Sequence, residues 1–224
     1  MILSTLFISV ISILIDHALL TRKNSIPFCL VTFITTQLFM FTAALLSNFY
    51  MQNLIILKYT YYLVAFTASF IYIFLVFKES LSKKIFTLFS VWMFSTIALY
   101  FATLVAELFS EIVKESDIET LIYLIRLLLL FLLLLSVYLG LNKPYKNALG
   151  IVSDTTMAFM LIYPLIAFLL LINSYGESIG SFKNFNSVYD ILLFVVFIMI
   201  GYILVFVGII SSSKIVSLQY NYKI

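Results

Sequence analysis

The fold is decided by the segment Val188–Ile210, VYDILLFVVFIMIGYILVFVGII, and by the tail Ser211–Ile224 that follows it, SSSKIVSLQYNYKI. The segment has the length and the apolar character of a helix that crosses a bilayer. The tail contains no Gly or Pro, and its Ile215, Leu218 and Tyr222 recur at the spacing of a seam that faces a partner helix. We therefore predict a membrane helix that continues into an output helix.

The composition extends this prediction to the whole chain. Of 224 residues, 64% are hydrophobic and only 10% are charged, whereas a soluble domain has about 25% charged residues. One cysteine and one histidine exclude a disulfide framework and the common zinc motifs. No glycine-rich nucleotide motif is present, so we predict no cofactor and no metal. The few basic residues form short clusters, which does not favour nucleic-acid binding.

Seven apolar segments have the length of about 20 residues that a bilayer core requires. Because backbone groups in lipid must be paired within their own element, we predict an all-α, polytopic membrane helix bundle. Residues 1–211 would form the seven-helix bundle, and residues 212–224 would begin a helical connector. The predicted spans are Ile2–Leu20, Pro27–Ser47, Leu54–Phe77, Ile85–Leu108, Leu121–Leu141, Leu149–Asn173 and Val188–Ser211.

Basic residues are concentrated after the odd-numbered spans, which fall on one side of a seven-span chain. Nine of the thirteen Lys and Arg residues lie there: Arg22, Lys23, Lys78, Lys83, Lys84, Lys143, Lys146, Lys214 and Lys223. Because basic loops stay in the cytoplasm, the N-terminus is predicted outside and the C-terminus in the cytoplasm. The N-terminal segment has neither a basic region before it nor a small-residue cleavage signal, so we predict a retained first span and no signal peptide.

The three prolines give local predictions. Pro27 lies in the first turn of the second span, where its missing N–H costs little. Pro144 is predicted to break the chain between the fifth and sixth spans. Pro164 lies inside the sixth span and is predicted to kink it. Tyr163 beside it could line a cavity, although packing explains it more simply.

Arg126 is the charge placed most clearly within a span, about two turns into the fifth. The candidate partners are Glu107 and Glu111, at the end of the fourth span, and Asp190, at the start of the seventh. An intramembrane charge commonly marks a ligand site or switch. A structural ion pair, or an arginine that extends to the headgroups, is the alternative. If the fourth helix continued outward, Glu107, Glu111 and Glu115 would share one face, which could attract a cation or simply be solvated.

Three other functional classes remain open at this point, and one of them is a membrane scaffold or immunity-type protein with no ligand. A small transporter or channel would place Arg126 in its path. A membrane cysteine peptidase would use Cys29 as nucleophile and His17 as base, with Asp16 orienting the histidine. Adjacent helical residues point about 100° apart, so Asp16 is poorly placed for that role. We therefore predict that the chain is not an enzyme.

Three segments carry a resemblance to a known family: FKESLSKKIFTLFSVWMFS, IYLIRLLLLFLLLLSVYLGLNKPYKNAL and SSSKIVSLQYNYKI. They resemble the N-terminal membrane sensor of bacterial histidine kinases with a GHKL-type ATPase domain, the kinases related to peptide-pheromone receptors. The resemblance implies a multi-pass sensor in the bacterial cytoplasmic membrane and an extracellular peptide ligand. It also implies a homodimer through the C-terminal helix. The phosphoacceptor region and the ATPase domain of that family are not part of this chain, which would be either a truncated sensor or a stand-alone relative.

Overall fold

The structure, a computed structural model, describes residues 2–50, 55–109, 115–174 and 188–221, with side chains for 6–45, 64–109, 117–174, 189–209 and 211. These residues form α-helices, one π-helical turn and no strand, so the all-helical prediction is confirmed for them. The helices are α1 (Ile2–Leu19), α2 (Ile26–Tyr50), α3 (Ile55–Val76), α4 (Leu81–Leu108), α5 (Glu115–Ser136), α6 (Asn142–Ile151), α7 (Asp154–Ser174) and α8 (Val188–Asn221), with the π turn at Val137–Leu141.

Several helices are long and apolar enough to cross a membrane, which fits a membrane protein. Within the described side chains, two further apolar segments are shorter, Leu6–Leu19 in α1 and Val64–Val76 in α3. The predicted number of seven spans and their orientation therefore stay predictions. The five longer segments are Ile26–Leu45, Leu81–Leu108, Asp117–Ile151, Asp154–Ser174 and Tyr189–Ile209.

The prediction that Pro144 breaks the chain is wrong. The helical path runs from α5 through the π turn into α6, and Pro144 is the third residue of α6. A proline in the first turn loses little, and a local π turn is one of the adjustments by which long apolar helices tolerate it. The break comes later, at Val152 and Ser153, so the predicted start of the sixth span at Leu149 is also wrong. Pro164 lies inside α7, as predicted.

α4 lies at the centre of the bundle. It packs against α1, α3, α5, α7 and α8. Its side chains Phe86, Met93 and Tyr100 are completely buried. The Tyr100 hydroxyl donates a hydrogen bond of 2.7 Å to the carbonyl of Leu171 and so fixes α4 against α7. Five helices therefore pack directly on α4, whereas α2 packs on α1 and α3.

The α1–α2 turn, the α3–α4 turn and the start of α7 meet at one end of the bundle, which we call the basic end after its Arg22, Lys83 and Lys146. The amide of Lys23 donates to the carbonyl of Val76 at 2.7 Å. The amide of Lys78 donates to the carbonyl of Thr21 at 3.0 Å. The start of α7 joins them through Asp154, which accepts from Ser80 Oγ at 2.5 Å and pairs with Lys83 at 3.6 Å. Loops that are distant in sequence thus form one connected surface.

Candidate functional site

Arg126 contacts α4 near the middle of that helix. Its Nη2 donates a hydrogen bond of 2.9 Å to Ser95 Oγ, and Ser95 is buried. Ser95 precedes Glu107 by twelve residues on α4, a separation of about 18 Å along the axis. This contact therefore places the guanidinium group beyond the reach of the Glu107 carboxylate. A hydroxyl group on the facing helix is the partner that the sequence analysis missed.

Two of the predicted acids, Glu107 and Asp190, lie at the opposite end of the bundle from the basic end. Glu107 is exposed in the last turn of α4, and Asp190 is exposed in the first turn of α8. α4 ends at Leu108, and Glu115 is the first residue of α5. The continuous helix that would align Glu107 and Glu115 on one face is therefore not formed. Glu111 lies outside the described residues.

Tyr163 joins α7 to α8. Its hydroxyl donates a hydrogen bond of 2.7 Å to the carbonyl of Ile198. Its ring lies against Gly201, where an added Cβ would fall on the hydroxyl oxygen and 2.8 Å from Cε2. Tyr163 therefore serves as a packing contact, and Gly201 is the residue that makes the contact possible. A glycine within an apolar segment was the available sequence signal for close helix approach.

α6 connects the central helix to α8. The Tyr145 hydroxyl and Thr87 Oγ1, both buried, are 2.7 Å apart and share a hydrogen bond between α6 and α4. On α8, the Phe206 ring stacks on the Tyr145 ring, with centroids 6.0 Å apart and an interplanar angle of 9°. Because α5 runs through the π turn into α6, one unbroken helical path joins Arg126 to the residues that contact α8.

The proposed peptidase residues lie near one another but are not arranged as a catalytic pair in the described part of the chain. His17 Nε2 is 2.5 Å from the Tyr72 hydroxyl, and the imidazole packs edge-on against Phe77. The Cys29 thiol is buried and donates to the carbonyl of Asn24 at 3.7 Å. Asp16 is buried beside them, and its Oδ1 has no hydrogen-bond partner among the described residues. The imidazole is thus oriented by Tyr72, a residue that the sequence analysis did not consider.

The predicted output residues lie in or beyond the last described turns of α8. The helix continues without interruption past Ser211 to Asn221 and contains Ile215 and Leu218. The side chains of Ile215 and Leu218, and the whole of Tyr222, lie outside the part of the chain that the structure describes. Among the described residues, no three His, Cys, Asp or Glu side chains cluster in a way that could hold a metal ion.

Comparisons of the chain with protein-family models, with curated proteins and with solved structures give no match.

Proposed function

We propose that this chain is a membrane-embedded sensor or receptor module that passes a signal along α8 to a cytoplasmic partner. The observation that carries the proposal is the continuity of α8 over the 34 residues Val188–Asn221. A helix of that length extends about 50 Å, whereas a bilayer core is about 30 Å thick. Such a helix reaches well beyond the lipid, as an output element must.

The proposed topology has seven spans, with the N-terminus outside and the C-terminus in the cytoplasm of a bacterium. Its support is the clustering of Arg22, Lys83 and Lys146 at the basic end, in or beside the turns between helices. The acids Glu107 and Asp190 are at the opposite end of α4 and α8. Basic loops are retained on the cytoplasmic side, so the basic end would face the cytoplasm.

The route for the signal in this proposal is α5, the π turn, α6 and then α8. A ligand would bind at the end of the bundle opposite the basic end and would favour one of two helix packings. The sequence resemblance implies that this ligand is a peptide. Its differential affinity for those packings supplies the free energy of signalling. The Arg126–Ser95 contact between α5 and α4 is the proposed switch contact, and the stack of Tyr145 on Phe206 would transmit the change to α8.

Pairing of two copies through α8 is supported by the register of its exposed face. Phe197, Leu204 and Ser211 are each seven residues apart, and all three are exposed. The next residue in this series is Leu218, a member of the predicted seam. Ile215, Leu218 and Tyr222 would therefore continue the face of α8 that is not packed against α6 and α7.

Disulfide crosslinking in native membranes tests this function. Single cysteines are placed at Ile215 and Leu218 in a Cys29→Ser background, with Ser217 and Tyr220 as controls on the other side of the helix. We expect the two seam positions to crosslink several-fold faster than the controls, because the α-helix turns about 100° per residue. Equal crosslinking at all four positions, or monomers only, would contradict an output helix that works as a parallel pair.

The switch contact is tested in the same assay. Arg126→Ala is expected to change the ratio of crosslinking at 215 and 218, whereas Arg126→Lys, which retains a donor for Ser95, is expected to change it less. A matched control is Lys143→Ala, which removes a charge from the exposed face of α6. If reconstituted protein instead moves a solute and Arg126→Ala abolishes that flux, the chain is a transporter or channel.

A further inference from the structure

A cavity of about 440 Å³ opens at the basic end, between the end of α1 and the segment that contains the π turn and α6. It is distinct from the switch contact and from the face of α8. Its polar lining consists of His17, Thr21, Arg22, Tyr138, Asn142 and Lys146.

The cavity is electropositive. Arg22 and Lys146 contribute two positive charges to the lining, and Arg22 is close enough to act on Lys146. The lining residues include neither Asp nor Glu. Like charges across one cavity repel, which costs free energy unless an anion lies between them. The carboxylate of Glu79 acts on Lys146 more strongly than Arg22 does. It accepts the amide hydrogen of Thr21 at 2.7 Å and lies outside the lining, so it opposes this repulsion from behind the cavity wall.

The backbone that carries Arg22 is fixed before any ligand arrives. The backbone of Arg22 forms an isolated β-bridge with the backbone of Phe77. On either side of Arg22, the amide of Lys23 donates to the carbonyl of Val76, and the carbonyl of Thr21 accepts from the amide of Lys78. His17 is fixed as well, by Tyr72. A preorganised site loses less conformational entropy when it binds.

The π turn aligns the other wall of the cavity. Tyr138, Asn142 and Lys146 are four residues apart, and in an ideal α-helix each step of four would rotate the side chain by about 40°. The wider π turn, in which hydrogen bonds span five residues, rotates less per residue and offsets this drift. The three side chains therefore line the same cavity, and π turns of this kind are frequent at functional sites.

We propose that this cavity binds a phosphate group, presented either by an anionic phospholipid or by a soluble phosphate-bearing compound. A guanidinium group matches two phosphate oxygens at once, and an ammonium group adds a point charge. The amide of Asn142 and the hydroxyls of Thr21 and Tyr138 supply neutral donors. The site lies where the apolar helices end and the basic loops begin, at the level of a lipid headgroup.

Native mass spectrometry of the full chain tests the lipid source. The protein is reconstituted in nanodiscs of phosphatidylcholine mixed with phosphatidylglycerol, and retained phosphatidylglycerol is measured. Retention is expected to fall about tenfold in Arg22→Gln and Lys146→Gln, because each removes one charge-assisted contact. Lys143→Gln is the matched control, since Lys143 is on the same helix, exposed and outside the lining. Lys146→Arg is expected to restore retention.

Thermal unfolding tests the soluble source. In nanodiscs of phosphatidylcholine alone, inorganic phosphate is expected to raise the melting temperature of the wild type but not of Lys146→Gln, with chloride at equal ionic strength as control. A response to either probe supports the site and identifies the source. The proposal is overturned if neither probe distinguishes the wild type from Lys146→Gln, or if Lys143→Gln loses as much binding, since that pattern is diffuse surface attraction.

Discussion

α4 and α8 are both apolar and long enough to cross a membrane, but they differ in burial. In the most apolar stretch of α4, 72% of the residues are buried inside the protein, against 22% in α8. α4 has neighbours on all sides, whereas one face of α8, with Phe197 and Leu204, is exposed. Apolar character alone therefore does not determine which helix is central.

Small and hydroxyl-bearing residues distinguish the two helices. α4 buries four serine or threonine residues and three alanines. The close approach of α8 to α7 depends instead on Gly201 beneath Tyr163. In lipid, helices associate through close packing and hydrogen bonds, because lipid tails are as apolar as the helices themselves. These residues are thus the sequence signal for a central helix. On α4 they are Thr87, Ser90, Ser95, Ala98, Ala102, Thr103 and Ala106.

The largest expected difference between the helices is in side-chain truncation. Met93→Ala on α4 would leave a cavity at a completely buried position and is expected to lower the free energy of unfolding by about 2 kcal/mol or more. Phe197→Ala on α8, where the ring is 75% exposed, is expected to cost less than about 0.5 kcal/mol. Unfolding in mixed micelles, at protein concentrations that keep the chain monomeric, measures both. Equal losses would remove the distinction between a fixed centre and a peripheral helix.

A smaller effect is expected where α8 is held against α7. Gly201→Ala forces the new Cβ onto Tyr163, and overpacking of this kind costs about 1–3 kcal/mol. Gly208→Ala is the matched control on the same helix, because its Cβ would lie 3.8 Å from Met160 Cε, an ordinary contact. That control is expected to be neutral or slightly stabilising, since alanine favours helix. Thermal unfolding compares the two variants.

Tyr163→Ala provides the second half of this comparison. It removes the ring that Gly201→Ala would displace, so the double variant should lose less stability than the two single losses added together. Strict additivity, or an equal loss in Gly208→Ala, would show that the Tyr163–Gly201 contact does not hold α8 in place.

Hydropathy predicted the helices well, because a bilayer leaves the backbone few alternatives. It did not predict their arrangement. The long helices are apolar on most faces, so the periodicity that identifies the buried face of a soluble helix is weak in them. The short α6 is the exception, because its buried Tyr145, Ala148 and Leu149 alternate with polar residues. The continuous helical path from α5 into α6 was not predicted, because a proline such as Pro144 usually ends a helix. The π turn that accommodates it has no recognised sequence pattern.

The sites were predicted less completely than the helices. The charge of Arg126 suggested acids as its partners, but in the described structure Arg126 donates a hydrogen bond to Ser95 on the adjacent helix. The cavity at the basic end joins His17, Arg22 and Lys146 from segments that are distant in sequence. Only the tertiary structure brings these residues together. In the sequence they appear as a histidine near the end of a span and as members of two separate basic segments.

The smallest expected effect concerns α6, through which the central helix and α8 are connected. Tyr145→Phe removes the hydroxyl that contacts Thr87 but keeps the ring that stacks on Phe206. The loss is expected to be about 1 kcal/mol, because Thr87 Oγ1 still donates to the carbonyl of Lys83 and is not left unsatisfied. Tyr189→Phe, at an exposed position in the first turn of α8, is the matched control and should be neutral.

A comparison of Tyr145→Phe with Phe206→Ala separates stability from coupling. Since the ring stack between Tyr145 and Phe206 is retained in Tyr145→Phe, the crosslinking ratio of cysteines at 215 and 218 should stay as in the wild type while the melting temperature falls. Phe206→Ala removes the stack instead and is expected to change that ratio. If Tyr145→Phe changes the ratio as strongly as Phe206→Ala does, then the hydrogen bond to α4, and not ring stacking, couples the central helix to α8.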